Sequence, residues 1–557
     1  MRVLKLLGVV LLIGLTVLSY ADTLSFDFIN WGDDVRVYDN ARAYELAPHT
    51  IFWYFTNAYA GAYAPLAFLS HALDIALWGL KSSGHHLTNL LLHVSNAVLV
   101  FLLCVHLMNA LYRSSGAEVI GVPFFAAALF ATHPLAIPAV AWIAARGILL
   151  CEFFVLLACL FSLRSYIAQR RTGRFYAAIA CFTLACLADA GALLLPTVLV
   201  VIGRLARGET YPRVQELITN KLVLFGVSLL FLTASILASA SHQSEEMWDV
   251  HSTLHRLALP FVQLFRPILL FMSPSYISPL TPVPSNVFIG IGLVVFSAIT
   301  VAVLHLAKRG VSAPAMVWVA YVALALPRTF TVPHGVHFAY LPLPLLTISL
   351  ASIGWFVHDR YVRGSARFAV PIVAAGLVLA LALITSRQQT VWRNAASLWR
   401  HVIAIYPTMP AAYNFLGLAL QTNGRISEAK EAYARAIDLK PNFVEAYLNL
   451  GNIHYAGGDW QEADRLYHRA AELAPQRADV YNNLGIAAKA QGKSLDALFW
   501  LRKAIETDSS YAQGYVNLAV LYEQMGNIAA AYEALQHAAR LGDMRAQEQL
   551  KREGVQW

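Results

Sequence analysis

Over its first 388 residues the chain alternates long apolar runs with short polar loops; after that, apolar and polar positions mix with a helical period and repeat as a block. The apolar runs fall at about 6–20, 86–109, 119–136, 147–163, 175–188, 190–203, 222–240, 287–306, 313–328, 338–357 and 369–386. They predict about eleven membrane-crossing helices, because crossing roughly 30 Å of hydrocarbon takes about 20 apolar residues. The stretch 258–273 is also apolar, but its flank "FMSPSYISPLTPVPS" is rich in Pro and Ser and predicts a re-entrant or surface-lying helix that does not cross. The predicted fold class is all-α. A polytopic transmembrane helix domain covers 1–388, with a first outer loop at 21–84, and an α-solenoid covers 389–557.

The solenoid is read from spacing. Tyr413, Tyr447, Tyr481 and Tyr515 stand 34 residues apart, as do Gly424, Gly458, Gly492 and Gly526. Ala429, Ala463, Ala497 and Ala531 keep the same step, and so do Ala436, Ala470, Ala504 and Ala538, with Pro407, Pro441 and Pro475. This period, with these residues in this order, is the tetratricopeptide pattern: each repeat is a helix pair whose small residues permit close approach. The repeats fall near 411–444, 445–478, 479–512 and 513–546. Such arrays bind and do not catalyse. Asn449, Asn483 and Asn517 occupy one equivalent position. They predict either an amide ladder for an extended acceptor peptide or simple local capping.

Composition agrees with a membrane chain: 58% of residues are hydrophobic, 13% are charged, and the mean hydropathy is +0.54. The net charge of +8 is unevenly spread, since residues 410–557 hold 15 Lys and Arg against 17 Asp and Glu. The basic excess sits in four loops, around Arg164–Arg174, Arg204–Lys221, Lys308–Arg309 and Arg360–Arg367. Short basic loops face the cytoplasm, and eleven spans put all four there together with Arg2 and Lys5. The expectation is a multi-pass inner-membrane protein, bathed in membrane lipids, with a cytoplasmic N-terminus and repeats on the periplasmic side. Loop charge of this kind gives no reason to expect nucleic acid. The start "MRVLKLLGVVLLIGLTVLSYA" has features of a signal peptide, but the topology requires it as a retained helix. The cysteines lie in apolar runs without zinc-site spacing or a disulfide framework.

Candidate chemistry begins in "WGDDVRVYDN" at 31–40, where Asp33 and Asp34 stand side by side in the first outer loop. A hydroxyl nucleophile needs a carboxylate within hydrogen-bond reach, and acids beside a lipid-borne phosphate are also suited to holding a divalent cation. The plainer reading is a solvated pair capping a turn. Asp74 precedes His86, Asn89 and His93, which lie near one helix face. His133 and Arg146 bracket the next outer turn, and Arg328, His334 and His337 cluster in "LPRTFTVPHGVHF". Ionisable groups near membrane depth are functional candidates, or else interface anchors and satisfied helix-end groups.

"YAPLAFLSHALDIALWGLKSSGHHLTNLLLHVSNAVLVFLL" (63–103) and "FFAAALFATHPLAIPAVAWIAARGILL" (124–150) resemble the matching stretches of the transmembrane and tetratricopeptide-repeat O-mannosyltransferases, of the glycosyltransferase-C superfamily. The resemblance implies transfer of a sugar from a polyprenyl-phosphate donor to a Ser or Thr hydroxyl of an exported or surface protein held by the repeats. It places Asp33 or Asp34 as base or metal holder, and His86, His133, Arg146, Arg328, His334 and His337 as donor or phosphate contacts. The match also departs from the family. Ala64 stands where an Arg is expected, Pro138 and Ile148 where acids are expected, Asp189-Ala190 for Lys-Glu, and Val336-His337 for Glu-Arg. These changes strip charge from the face where a phosphate would dock. A membrane glycosyltransferase and a catalytically inactive scaffold with a protein partner therefore both stand. A transporter would show paired interrupted spans in corresponding halves, and the sequence has none.

Overall fold

The computed structural model describes residues 2–112, 118–167, 173–207, 224–235, 237, 253–274, 278, 286–309, 313–331, 339–363 and 366–557. Every regular element among them is helical, apart from one isolated bridge between Tyr59 and Ala62. The chain divides into two compact units, Met1–Ile405 and Tyr406–Trp557.

The first unit comprises α1 (Arg2–Tyr20), α2 (Pro48–Thr56), α3 (Pro65–Trp78), α4 (Ser82–Tyr112), α5 (Glu118–Thr132), α6 (Ile137–Ala141), α7 (Arg146–Ile167), α8 (Gly173–Ala188) and α9 (Leu195–Arg207). It continues with α10 (Leu224–Ser235), α11 (Thr253–Met272), α12 (Asn286–Lys308), α13 (Ala313–Thr331), α14 (Leu343–Tyr361), α15 (Ala366–Gln388) and α16 (Ala395–Ile405). Helix α3 shows how local sequence sets an element. Pro65 opens it with a pre-set φ, and Gly79 closes it at φ +62°, a conformation costly for a side chain.

Among the described residues, five helices are long and apolar enough to cross a membrane: Val3–Ser25, Ser82–Ala110, Ile143–Ile167, Ile289–Lys308 and Ala369–Trp392. The pair Ile120–Thr132 and Pro134–Ala141, bent by 52°, makes a sixth if it is one span. The predicted runs at 175–188, 190–203, 222–240 and 313–328 correspond to shorter apolar helices, and so does 258–273. Residues 389–405, assigned from sequence to the solenoid, pack with the first unit. Trp392 and Trp399 are fully buried, the Trp399 indole donates to Asn30 Oδ1 at 2.8 Å, and Gln389 donates to the Ser19 carbonyl at 3.0 Å.

The second unit is a run of antiparallel helices, α17 (Pro410–Thr422), α18 (Ile426–Leu439), α19 (Val444–Ala456), α20 (Trp460–Leu473), α21 (Ala478–Ala490), α22 (Ser494–Thr507), α23 (Ala512–Gln524), α24 (Ile528–Arg540) and α25 (Met544–Arg552). The periodic residues explain it. Gly424, Gly458, Gly492 and Gly526 sit at φ +73° to +79° in the turn within each pair, a region costly for other residues. Ala429, Ala463, Ala497, Ala436, Ala470 and Ala504 are fully buried where the helices meet. The Tyr and Pro series are coupled: Tyr413, Tyr447 and Tyr481 donate to the carbonyls of Pro407, Pro441 and Pro475 at 3.2, 3.2 and 3.0 Å. Gly451 lets the Tyr467 ring cross its helix, and a Cβ there would meet the ring at 2.5 Å. The Tyr467 hydroxyl is held by Asn452 Oδ1 at 2.7 Å, so the ring has no free retreat. Gly451→Ala is therefore expected to cost about 1–3 kcal/mol by overpacking. Hydrogen exchange in the full chain checks this: amides of α19 and α20 should lose protection, and unchanged protection would refute the packing argument.

Candidate functional site

The two adjacent acids have different surroundings. Asp33 is wholly buried. Its Oδ2 accepts from the Ile29 N–H at 2.9 Å and its Oδ1 from the Ala144 N–H at 2.7 Å. It clips the outer loop to the turn before α7, where Trp31 stacks on Trp142 at 4.4 Å and Arg36 donates to the Ala144 carbonyl at 3.3 Å. Asp34 opens the short π-turn Asp34–Tyr38 and is partly exposed. Its Oδ1 accepts from Gly32 N–H and Val35 N–H at 3.0 and 2.9 Å. Its Oδ2 makes no hydrogen bond to a described residue, so it is the oxygen with capacity to receive a proton.

Burial pushes the Asp33 carboxyl up to about 7, against the two backbone donors that favour its charge. The folded state then holds a proton that the unfolded state, titrating near 3.9, has released. Asp33 thus contributes most stability below about pH 4, and loses it as pH rises towards about 7. Replacing Asp33 with Asn should flatten that slope. Melting temperatures of both proteins across this range check it, and parallel curves would refute it.

Below the loop, Arg146 opens α7 with no exposed surface. Its Nη2 donates to Asp74 Oδ2 at 2.7 Å and to the His85 carbonyl at 2.8 Å; Nη1 donates to Ser70 Oγ at 2.8 Å, and Nε to Asn89 Oδ1. Asp74 also accepts from Thr88 Oγ1 at 2.8 Å. Asn89 spends its amide hydrogens on the carbonyls of Val140 and Trp142 at 3.2 and 3.1 Å. These side chains are drawn into an internal ion-pair network binding α3, α4 and α7.

His86 is fully buried against Phe26, edge-on at 6.1 Å, with the backbone of Phe26 and Asp27 beside its ring. His133 caps the turn before α6 by accepting from the Leu135 N–H at 3.2 Å, faces the Phe271 carbonyl at 3.2 Å and stacks on the Phe271 ring at 4.7 Å. His334 and His337 lie outside the described residues, as does the side chain of Arg328 on α13. Among the described residues no group of three or more His, Cys, Asp or Glu is arranged to hold a metal ion. Both Asp33 oxygens are also already taken by backbone donors.

In the repeats, Asn449 donates to Asn414 Oδ1 at 3.0 Å and Asn517 to Asn482 Oδ1 at 2.7 Å. These two amides link successive repeats. Asn483 is partly exposed and makes no side-chain hydrogen bond to a described residue. The partners Asn414 and Asn482 are one position off the aligned series, so spacing alone did not single them out. Sequence reasoning also passed over Glu152, a lone acid inside the apolar run of α7, and Tyr340, which joins His93 and Asn96.

Comparison with known proteins identifies the repeats. Residues 443–510 and 512–541 match tetratricopeptide-repeat family models, and 422–457 match a further TPR-repeat model. No curated protein matches the chain. Among solved structures, MamA 41-end from Desulfovibrio magneticus RS-1 is 18% identical over 26% of this chain and 83% of its own, with a TM-score of 0.25. Another MamA crystal structure is 22% identical over 29% of this chain and 94% of its own, with a TM-score of 0.26. Between residues 422 and 541 the chain is a tetratricopeptide-repeat array, an architecture that suggests a protein partner.

Proposed function

We propose that the chain is a membrane glycosyltransferase that moves a sugar from a polyprenyl-phosphate donor to a Ser or Thr of an exported protein. In this reading the first unit crosses the inner membrane about eleven times, and the repeats hold the acceptor on the periplasmic side. The observation that carries it is the pairing of a buried brace, Asp33, with a neighbour, Asp34, that keeps one carboxylate oxygen uncommitted at a partly exposed turn. Asp34 would accept the proton of the attacking hydroxyl, while Asp33 fixes the loop. The same reading makes His86, buried beside Phe26, a phosphate contact only if the site opens to reach it. With both Asp33 oxygens taken by backbone donors, the residues do not favour a divalent ion at Asp33 and Asp34. The test is transfer of labelled sugar from polyprenyl-phosphate donors to protein, in membranes expressing the full chain. Label entering Ser or Thr of an exported protein supports the reading.

A second reading is an inactive membrane scaffold. It is favoured by Arg146, which is fully buried and has four of its five N–H donors spent on Asp74, Ser70, Asn89 and His85, leaving little for a phosphate. The scaffold reading predicts no transfer from any donor, with a protein partner still retained through the repeats.

A further inference from the structure

We infer that the unpaired oxygens buried between α1, α4 and α7 form a site for one small monovalent cation, which competes there with a proton on Glu152. The inference goes beyond glycosyl transfer and does not rest on it.

Glu152 is 1% exposed on α7, and its Oε2 is buried without a hydrogen-bond partner. Asn96, on α4, is fully buried and its Oδ1 is likewise unpaired. The Asn96 amide donates to the Leu149 carbonyl at 3.1 Å and to the Tyr340 hydroxyl at 3.2 Å. Leu149 lies three residues before Glu152, so Asn96 is docked on the α7 face that carries the acid. His93 Nε2 faces the Ala131 carbonyl at 3.2 Å and its Nδ1 faces the Tyr340 hydroxyl at 2.7 Å. A carbonyl only accepts, so the proton sits on Nε2 and Tyr340 donates to Nδ1. Tyr340 then donates to His93, accepts from Asn96 and keeps one lone pair. The Tyr20 hydroxyl, on α1, is also buried and unpaired, with its ring 5.1 Å from His93. Tyr340 lies within electrostatic range of both Glu152 and Tyr20.

An acid buried inside an apolar helix, with orphaned polar oxygens on the adjoining helices, is costly unless something positive meets them. The donors are one carboxyl, one amide carbonyl and two phenol oxygens. All are hard oxygens, which select a hard ion. One carboxyl balances a single charge, whereas calcium sites recruit several carboxylates and magnesium retains its water. The chemistry fits sodium, or a proton on Glu152 when sodium is absent.

The test is site-resolved labelling of the full-length protein by dicyclohexylcarbodiimide, which reacts with protonated carboxyls in apolar surroundings. In mildly acidic choline buffer an adduct is expected on Glu152, located by mass spectrometry, and absent from the Glu152→Gln variant. Sodium at equal ionic strength should slow labelling, about tenfold when it exceeds its dissociation constant tenfold. The native chain carries the readout, so the test does not depend on a variant folding. No adduct on Glu152, or equal rates in sodium and choline, would overturn the proposal. Neither result bears on sugar transfer.

Discussion

Asp74→Asn is expected to be the most damaging single change in the first unit, costing about 3–5 kcal/mol because it leaves a buried cation without its counter-charge. Arg146 is fully buried, and Asp74 is its carboxylate partner at 2.7 Å. Asn has nearly the same shape, so packing is conserved and the loss is electrostatic. The remaining partners are neutral dipoles from Ser70, Asn89 and the His85 carbonyl. Thermal unfolding of purified full-length protein reads the effect. The double variant Asp74→Leu, Arg146→Met should recover much of the loss, since a buried pair replaced by apolar groups of similar volume is often neutral. An Asp74→Asn protein that melts like the parent would show that Arg146 is compensated otherwise, and would reopen it as a phosphate contact.

The second large effect concerns the adjacent acids. Asp34→Asn should leave the fold intact and lower sugar transfer by about 10²–10⁴, the usual contribution of a positioned general base. Asp33→Asn should behave differently. An Asn side chain presents an NH₂ group to the Ile29 or Ala144 N–H, and two donors cannot bond. It should reduce the yield of folded protein at neutral pH, with transfer falling only in proportion. If both variants transfer like the parent, neither acid is the base. If Asp33→Asn is well folded yet inactive, the roles are the reverse of those assigned.

The repeats were legible in the sequence because each needs only its neighbours. A period of 34 residues repeats the same local contacts, so turn glycines and interface alanines appear at fixed spacing and predict their own surroundings. The hydrophobic runs predicted helices for the same local reason, and about the right stretches are helical. Their number as membrane spans was less legible, because a run's apolarity does not set where its helix ends.

The acids and bases depended on distant partners. Asp33 and Asp34 are indistinguishable in "WGDDVRVYDN"; the Ala144 N–H, supplied from far along the chain, separates them into a brace and an open carboxylate. Arg146 reads as a lone cation at an outer turn until folding brings Asp74, Ser70 and Asn89 around it. Glu152 reads as one polar residue in an apolar run until Asn96 docks on its helix and Tyr340 comes within electrostatic range. Helix periodicity and repeat spacing are short-range properties that a sequence carries by itself. The charge state and free valence of a buried group are set by atoms distant in the chain, and the tertiary structure alone decides them.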